Sequence, residues 1–116
     1  MASYKLLSGS TNGLPIKVTQ TATAGDTIHT AVSGTSSVDI IRLVAHNSSS
    51  SDVTLTVEFG GVTDPDDLIV KGLNIPANSS VPVVVDMPLQ NSLVVKAFAG
   101  SADVITITGE VKNITL

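Results

Sequence analysis

The side chains of this sequence that could carry out chemistry are few and scattered. His29 and His46 are its only histidines, and neither has a second histidine or a paired carboxylate at the spacing of a metal site or general base. Serines are numerous, but none stands in the Gly-x-Ser-x-Gly turn that presents a nucleophile. Cysteine is absent, which excludes thiolate metal sites, cysteine nucleophiles and disulfides. We therefore predict that the protein is not an enzyme and has no cofactor.

One acidic segment, residues 63–67, is a candidate for metal binding. It reads Thr-Asp-Pro-Asp-Asp and contains Asp64, Asp66 and Asp67. Calcium and similar hard cations bind clusters of carboxylate oxygens. The spacing does not match an EF-hand loop, and Asp and Pro are also common turn residues. We predict a turn and no metal, and we keep the three aspartates as the alternative.

Charge and aromatic content narrow the classes of partner. The chain has 116 residues and a formal net charge of -4, and its six Lys and Arg residues form no cluster. Binding to a nucleic-acid backbone requires clustered cations, so direct nucleic-acid binding is not expected. Aromatic residues make up 3% of the sequence, which also weakens a carbohydrate-binding function that depends on stacking.

The elements that would position these residues are short strands. Apolar and polar residues alternate with a period of two, for example in Val-Thr-Leu-Thr-Val-Glu-Phe at 53–59. Eight such segments are bounded by Gly, Pro, Asn, Asp and Ser; they are residues 15–20, 27–32, 38–46, 53–59, 68–71, 81–87, 93–99 and 105–111. Pro82 lies within the sixth segment, so we expect an edge strand or a bulge there.

This rhythm predicts an all-β protein, an antiparallel β-sandwich of about eight short strands with jelly-roll-like connections. The length fits a single domain over residues 14–116, preceded by an N-terminal arm over residues 1–13. No apolar run approaches the roughly 20 residues of a membrane helix, and no signal peptide is evident. We therefore expect synthesis in the cytoplasm and no membrane association.

Two predicted strands carry apolar residues on both faces. The sets expected to face the core are Ile41, Leu43 and Ala45 in one strand and Leu93, Val95 and Ala97 in the other. The opposite faces carry Ile40, Arg42, Val44, Val94, Lys96 and Phe98. Either a loop or the N-terminal arm covers this second face, or the face forms a subunit interface, because contiguous exposed apolar area marks association sites. We predict the interface.

Several segments together resemble small virion proteins of tailed bacteriophages. They are Ile-Arg-Leu-Val-Ala-His-Asn-Ser-Ser at 41–49, Val-Thr-Leu-Thr-Val-Glu-Phe-Gly at 53–60, Leu-Asn-Ile-Pro-Ala-Asn-Ser-Ser-Val-Pro-Val-Val at 73–84, Leu-Val-Val-Lys-Ala-Phe-Ala at 93–99 and Ile-Thr-Ile-Thr-Gly-Glu-Val at 105–111. The resemblance covers roughly residues 38–112 and implies a structural virion component with a β-sandwich or jelly-roll fold. Such proteins commonly decorate and cement capsids, often as trimers.

The leading hypothesis is therefore a capsid decoration (cement) protein on the capsid surface of a virion. The expected partner is the major capsid protein or another virion protein, and a homo-oligomer, in particular a trimer, is expected. Tyr4, Lys5, Leu6 and Leu7 would belong to an arm that orders on the shell. The alternatives are a tail, fibre or baseplate component of a phage, and a carbohydrate- or calcium-binding β-sandwich module.

Overall fold

The protein is built from nine β-strands and, over the residues that the structure describes, no helix. The structure is a computed structural model that describes residues 2–116. The strands are β1 (Ala2–Lys5), β2 (Ile16–Lys17), β3 (Asp26–Thr30), β4 (Ser37–Asn47), β5 (Val53–Phe59), β6 (Leu68–Ile75), β7 (Ser80–Leu89), β8 (Val94–Ala99) and β9 (Ile105–Thr115). The all-β prediction is confirmed, and all eight predicted segments contain a strand.

The strands form two antiparallel sheets that pack face to face. The first sheet has the order β1-β9-β4-β7, with β2 also paired to β9, and the second has the order β3-β8-β5-β6. Strand β5 therefore pairs with β6, β4 with β7, β3 with β8 and β2 with β9. This nesting is a long antiparallel hairpin rolled over on itself, which is the jelly-roll topology. The predicted sandwich is confirmed.

Alternation along the strands fills the space between the sheets. In β4 the inward residues Ile41, Leu43 and Ala45 are fully buried, as predicted, and in β8 Val95 and Ala97 are buried as well. Leu93 was expected in the same core row, but it is 43% exposed because it belongs to the turn before β8. The core is therefore built mainly from β-branched and leucine side chains on the inner face of each sheet.

The edge strand β7 carries both of the features that its sequence predicts. Strand β7 pairs with β4, and the register between them shifts on both sides of Leu43. Strand β7 contains Pro82, which pairs with Val44, and Pro88, which pairs with Ile40. Proline lacks a backbone donor and is tolerated in a sheet where one side of the strand has no neighbour. The edge position of Pro82 is confirmed.

The predicted N-terminal arm, residues 1–13, is part of the sandwich over its described residues, 2–13. Strand β1 pairs with β9, and residues 6–15 then cross to the second sheet, where the Gly9 amide donates to the Ile28 carbonyl at 3.0 Å. A side chain at Gly9 would collide with the Thr27 and Ile28 carbonyl oxygens, so only glycine permits this approach. Leu7 is 3% exposed and enters the core. This segment closes one side of the sandwich because its leucine is buried there.

Candidate functional site

The six residues predicted to form an interface lie on two opposite surfaces. Ile40, Arg42 and Val44 project from the outer face of the first sheet, and Val94, Lys96 and Phe98 project from the outer face of the second sheet. We call these surfaces the front face and the back face. Because the two sheets bury their inner faces against each other, their outer faces point in opposite directions. The sequence analysis expected all six residues to form one continuous interface. This expectation is wrong, because the six residues lie on two separate surfaces.

The front face has an apolar region beside the N-terminal strand. Tyr4 pairs in register with Lys112, and Lys112 pairs with Ile40 on the neighbouring strand. Tyr4 is 72% exposed, and the Lys112 ammonium lies 5.7 Å from the centroid of its ring, within the range of a cation–π contact. Ile40 and Ile114 are half-buried on the same face. This region spans three strands, with the exposed aromatic ring on β1 and the aliphatic side chains on β4 and β9.

Toward the opposite end, the front face becomes polar. Arg42 pairs in register with Glu110, and its Nε lies 3.9 Å from Asp86 Oδ1. His46 lies between two hydroxyl groups, with Nδ1 2.6 Å from Ser80 Oγ and Nε2 2.8 Å from Thr108 Oγ1. The histidine therefore has a structural role in its strand, and the front face combines an apolar region with a hydrogen-bonded polar region.

The back face is partly covered by the chain itself. Thr56 and Glu58 occupy outward positions of β5, yet both are buried. The Thr23 hydroxyl, in the segment before β3, reaches Glu58 Oε1 at 3.5 Å, and the loop after β5 brings Asp64 beside the same carboxyl. Burial and the neighbouring Asp64 raise the pKa of Glu58 to about 7. Two loops therefore lie over this face, which is one of the two explanations considered for its apolar residues.

The acidic segment at 63–67 forms a closed turn. The Thr63 amide donates to Asp67 Oδ2 at 2.9 Å, and the Asp67 amide donates to the Thr63 carbonyl at 2.8 Å. Asp66 is exposed. Across residues 2–116, no three His, Asp or Glu side chains converge as a ready set of metal ligands. The three aspartates are therefore not brought together as one ligand set.

A buried polar cluster centred on Asp39 was not foreseen. Asp39 is fully excluded from solvent on the inward side of β4. Its carboxylate accepts hydrogen bonds from Lys5 Nζ at 3.0 Å, from the Val32 amide at 3.0 Å and from Asn113 Nδ2 at 2.9 Å. His29 Nε2 lies 2.8 Å from Asp39 Oδ2. The strand alternation does predict an inward Asp39, since it shares the parity of Ile41 in the same strand.

The hydrogen bonds of His29 define its tautomer. Its Nδ1 accepts the Ser8 amide at 3.0 Å, so Nε2 carries the proton and donates to Asp39. Burial raises the pKa of the Asp39 carboxyl, but hydrogen bonds from Asn113, His29 and Lys5 outweigh it and hold the pKa below its ordinary value. With both ring nitrogens occupied and the ring buried, this His–Asp pair links strands and has no atom directed at a substrate.

The four residues assigned to the capsid-contact arm have different environments. Tyr4 and Leu6 are exposed, Lys5 binds Asp39, and Leu7 lies in the core. Tyr4 and Leu6 are therefore the two residues whose side chains are free for a partner. The inclusion of Leu7 in an external contact is corrected because Leu7 is buried, and Lys5, although 36% exposed, is already bound to Asp39.

Fold and surfaces together define a small jelly-roll β-sandwich whose front face carries an exposed aromatic ring beside half-buried aliphatic side chains. No pocket for a small molecule is found within the described part of the chain, residues 2–116. The same residues contain no helix long and apolar enough to cross a membrane. Comparisons with protein-family models, with curated proteins and with solved structures find no match.

Proposed function

We propose that the protein is a structural virion protein of a tailed bacteriophage, a capsid decoration (cement) protein that binds the outer shell and stabilises contacts between capsomers. The observation that carries the proposal is the front face, where the exposed ring of Tyr4 and the half-buried Ile40 and Ile114 form an apolar region across three neighbouring strands. The expected partner is the major capsid protein, and the expected location is the capsid surface.

The fold and the apolar region of the front face are compatible with this function. Jelly rolls are frequent among viral capsid domains, although a fold by itself does not define a function. Apolar area left exposed on a small protein marks an association site. The contact of one copy would be weak, and many equivalent copies on one particle would add their contacts through multivalency. Sequence resemblance to small phage virion proteins supports the same class.

The front face also supports the proposed homo-oligomer, with a trimer as the expected form. Edge strand β7 is interrupted by Pro82 and Pro88, which disfavours association by adding a strand to that edge. Contact through side chains of the front face is therefore the better route for subunits to associate. Native mass spectrometry of the purified protein gives the oligomer number directly.

The test is to locate the protein in the particle and then to disrupt the front face. Mass spectrometry of separated heads and tails should find the protein with the heads. Its recovery with tails would replace the proposal by a tail, fibre or baseplate function, and its absence from particles would overturn both. Ile40→Lys should reduce occupancy of the shell, whereas Leu93→Lys, at an exposed turn residue away from the front face, should not. Equal occupancy of both variants, with unchanged Tm, would exclude the front face.

A further inference from the structure

Glu58 is a buried carboxylate that lacks the partners such a group normally has. It is 0% exposed although its strand position directs it to the back face. Its Oε1 has one long contact, 3.5 Å from the Thr23 hydroxyl, and its Oε2 receives no hydrogen bond from a donor among residues 2–116. The adjacent Asp64 carboxyl is an acceptor as well, so the two carboxyls hydrogen-bond to each other only when one of them is protonated. Burying an ionised carboxylate without hydrogen bonds or an opposite charge is strongly unfavourable.

The groups around Glu58 add negative charge. Asp64 lies beside its carboxyl, and Asp67 is close enough to act on it electrostatically. Lys96 is the cross-strand neighbour of Glu58 on β8, yet the ion pairs of the described chain are those of Lys5 with Asp39 and of Arg42 with Asp86. A positive charge is therefore missing at a point where two carboxylates meet.

We propose that Glu58 and Asp64 bind one Ca²⁺ ion between the back face and the loop after β5. The ligand atoms at this point are oxygens, from two carboxylates and the Thr23 hydroxyl, which favours a hard cation. They come from a strand and two irregular loops, and calcium accepts irregular geometry whereas Mg²⁺ requires a near-ideal octahedron. Water supplies the remaining coordination positions.

This site differs from the one that the acidic motif suggests. Asp66 is exposed and Asp67 holds the turn through the Thr63 amide, so neither replaces Glu58. With two carboxylates, the site belongs to the weak class of calcium sites, with a Kd of about 0.1 to 1 mM. A bound ion would attach residues 20–25 and 60–67 to β5. This calcium site goes beyond the proposed capsid function and does not depend on it.

The test is calcium binding by the full chain after treatment with a chelator. At pH 8, 10 mM CaCl2 should raise the Tm by several degrees, and isothermal titration calorimetry should show one site per chain. Glu58→Gln and Asp64→Asn should abolish both responses. Asp66→Asn removes the same charge from the same loop at an exposed position, and it should respond as the wild type does.

Four results would overturn the proposal. They are the absence of a calcium response in the wild type, an unchanged response in Asp64→Asn, an equal loss in Asp66→Asn, and an equal response to MgCl2. Asp64 is exposed, so its variant tests the site even where Glu58→Gln fails to fold. If Glu58→Gln removes the pH dependence of stability while calcium has no effect on the wild type, the two carboxyls share a proton and bind no metal ion.

Discussion

His29 Nε2 lies 2.8 Å from Asp39 Oδ2, and this contact joins β3 of the second sheet to β4 of the first. The same carboxylate also binds Lys5 of β1 and Asn113 of β9. A buried charge is stable only when it is paired and fully hydrogen-bonded. Asp39 meets this condition by drawing four segments of the jelly roll together at one end of the sandwich.

Replacement of this carboxylate should be strongly destabilising. Asp39→Asn leaves Lys5 without its counter-charge and places an amide nitrogen where only acceptors fit. We expect a loss of about 3 kcal/mol in the free energy of unfolding, the magnitude typical of breaking a buried ion pair. Urea denaturation at pH 7 measures it. Asp103 lies in an exposed turn, so Asp103→Asn should change the free energy of unfolding by less than about 0.5 kcal/mol. Equal effects of the two substitutions would show that Asp39 does not hold these four segments together.

Acid should remove the contribution of Asp39. Because its folded pKa lies below the unfolded value, the carboxylate contributes stability that is fully present above the unfolded pKa of about 4 and is lost as the pH falls through the folded pKa. The free energy of unfolding should therefore fall below about pH 4. Denaturation curves from pH 5 to pH 2 should fall more steeply for the wild type than for Asp39→Asn. Parallel curves would contradict the assignment.

Glu58 should have the opposite pH dependence. Its folded pKa is raised from 4.5 to about 7, so the unfolded chain ionises first as the pH increases. Stability should decline between those two values and level off above the folded pKa. In buffer containing a chelator, Glu58→Gln should remove this decline and should be more stable than the wild type at pH 8. Unfolding free energies at pH 5 and pH 8 test this, and a variant as pH-sensitive as the wild type in this range would refute it.

The two neighbouring leucines of the crossing segment offer a matched comparison. Leu7 is 3% exposed and Leu6 is 60% exposed. Leu7→Ala should lower the free energy of unfolding by about 2 to 4 kcal/mol through lost burial and a cavity, whereas Leu6→Ala should change it by less than about 0.5 kcal/mol. Thermal or urea unfolding compares them. Similar small losses in both variants would indicate that residues 6–15 do not close the sandwich.

The alternation of residues within each strand predicted most core positions correctly and failed at two points. Alternation in β4 and β8 correctly placed Ile41, Leu43 and Val95 in the core, because a strand directs successive side chains to opposite faces. It misplaced Leu93, since a turn residue escapes the alternation of the strand that follows it. The interface was split between two faces because a pattern within one strand does not report which sheet that strand joins.

The two buried acids, Asp39 and Glu58, differ in how far the sequence predicts their burial. Asp39 is detectable in the sequence as a polar residue on the apolar side of β4, although its partners His29 and Asn113 are not. Glu58 has an ordinary outward position, and its burial arises from loops 20–25 and 60–67 that fold over β5. No spacing rule connects Thr23, Glu58 and Asp64, because long-range packing alone brings them together.

The sequence by itself determined that this chain forms short strands and which side chains of most strands face inward, because period-two alternation is a local property of extended backbone. Only the tertiary structure decided that β4 and β8 belong to different sheets, that Leu7 closes the sandwich and that Asp39 and Glu58 are buried. These outcomes depend on pairing between distant segments, such as β2 with β9, and that pairing minimises the exposed apolar area and unpaired polar groups of the whole chain.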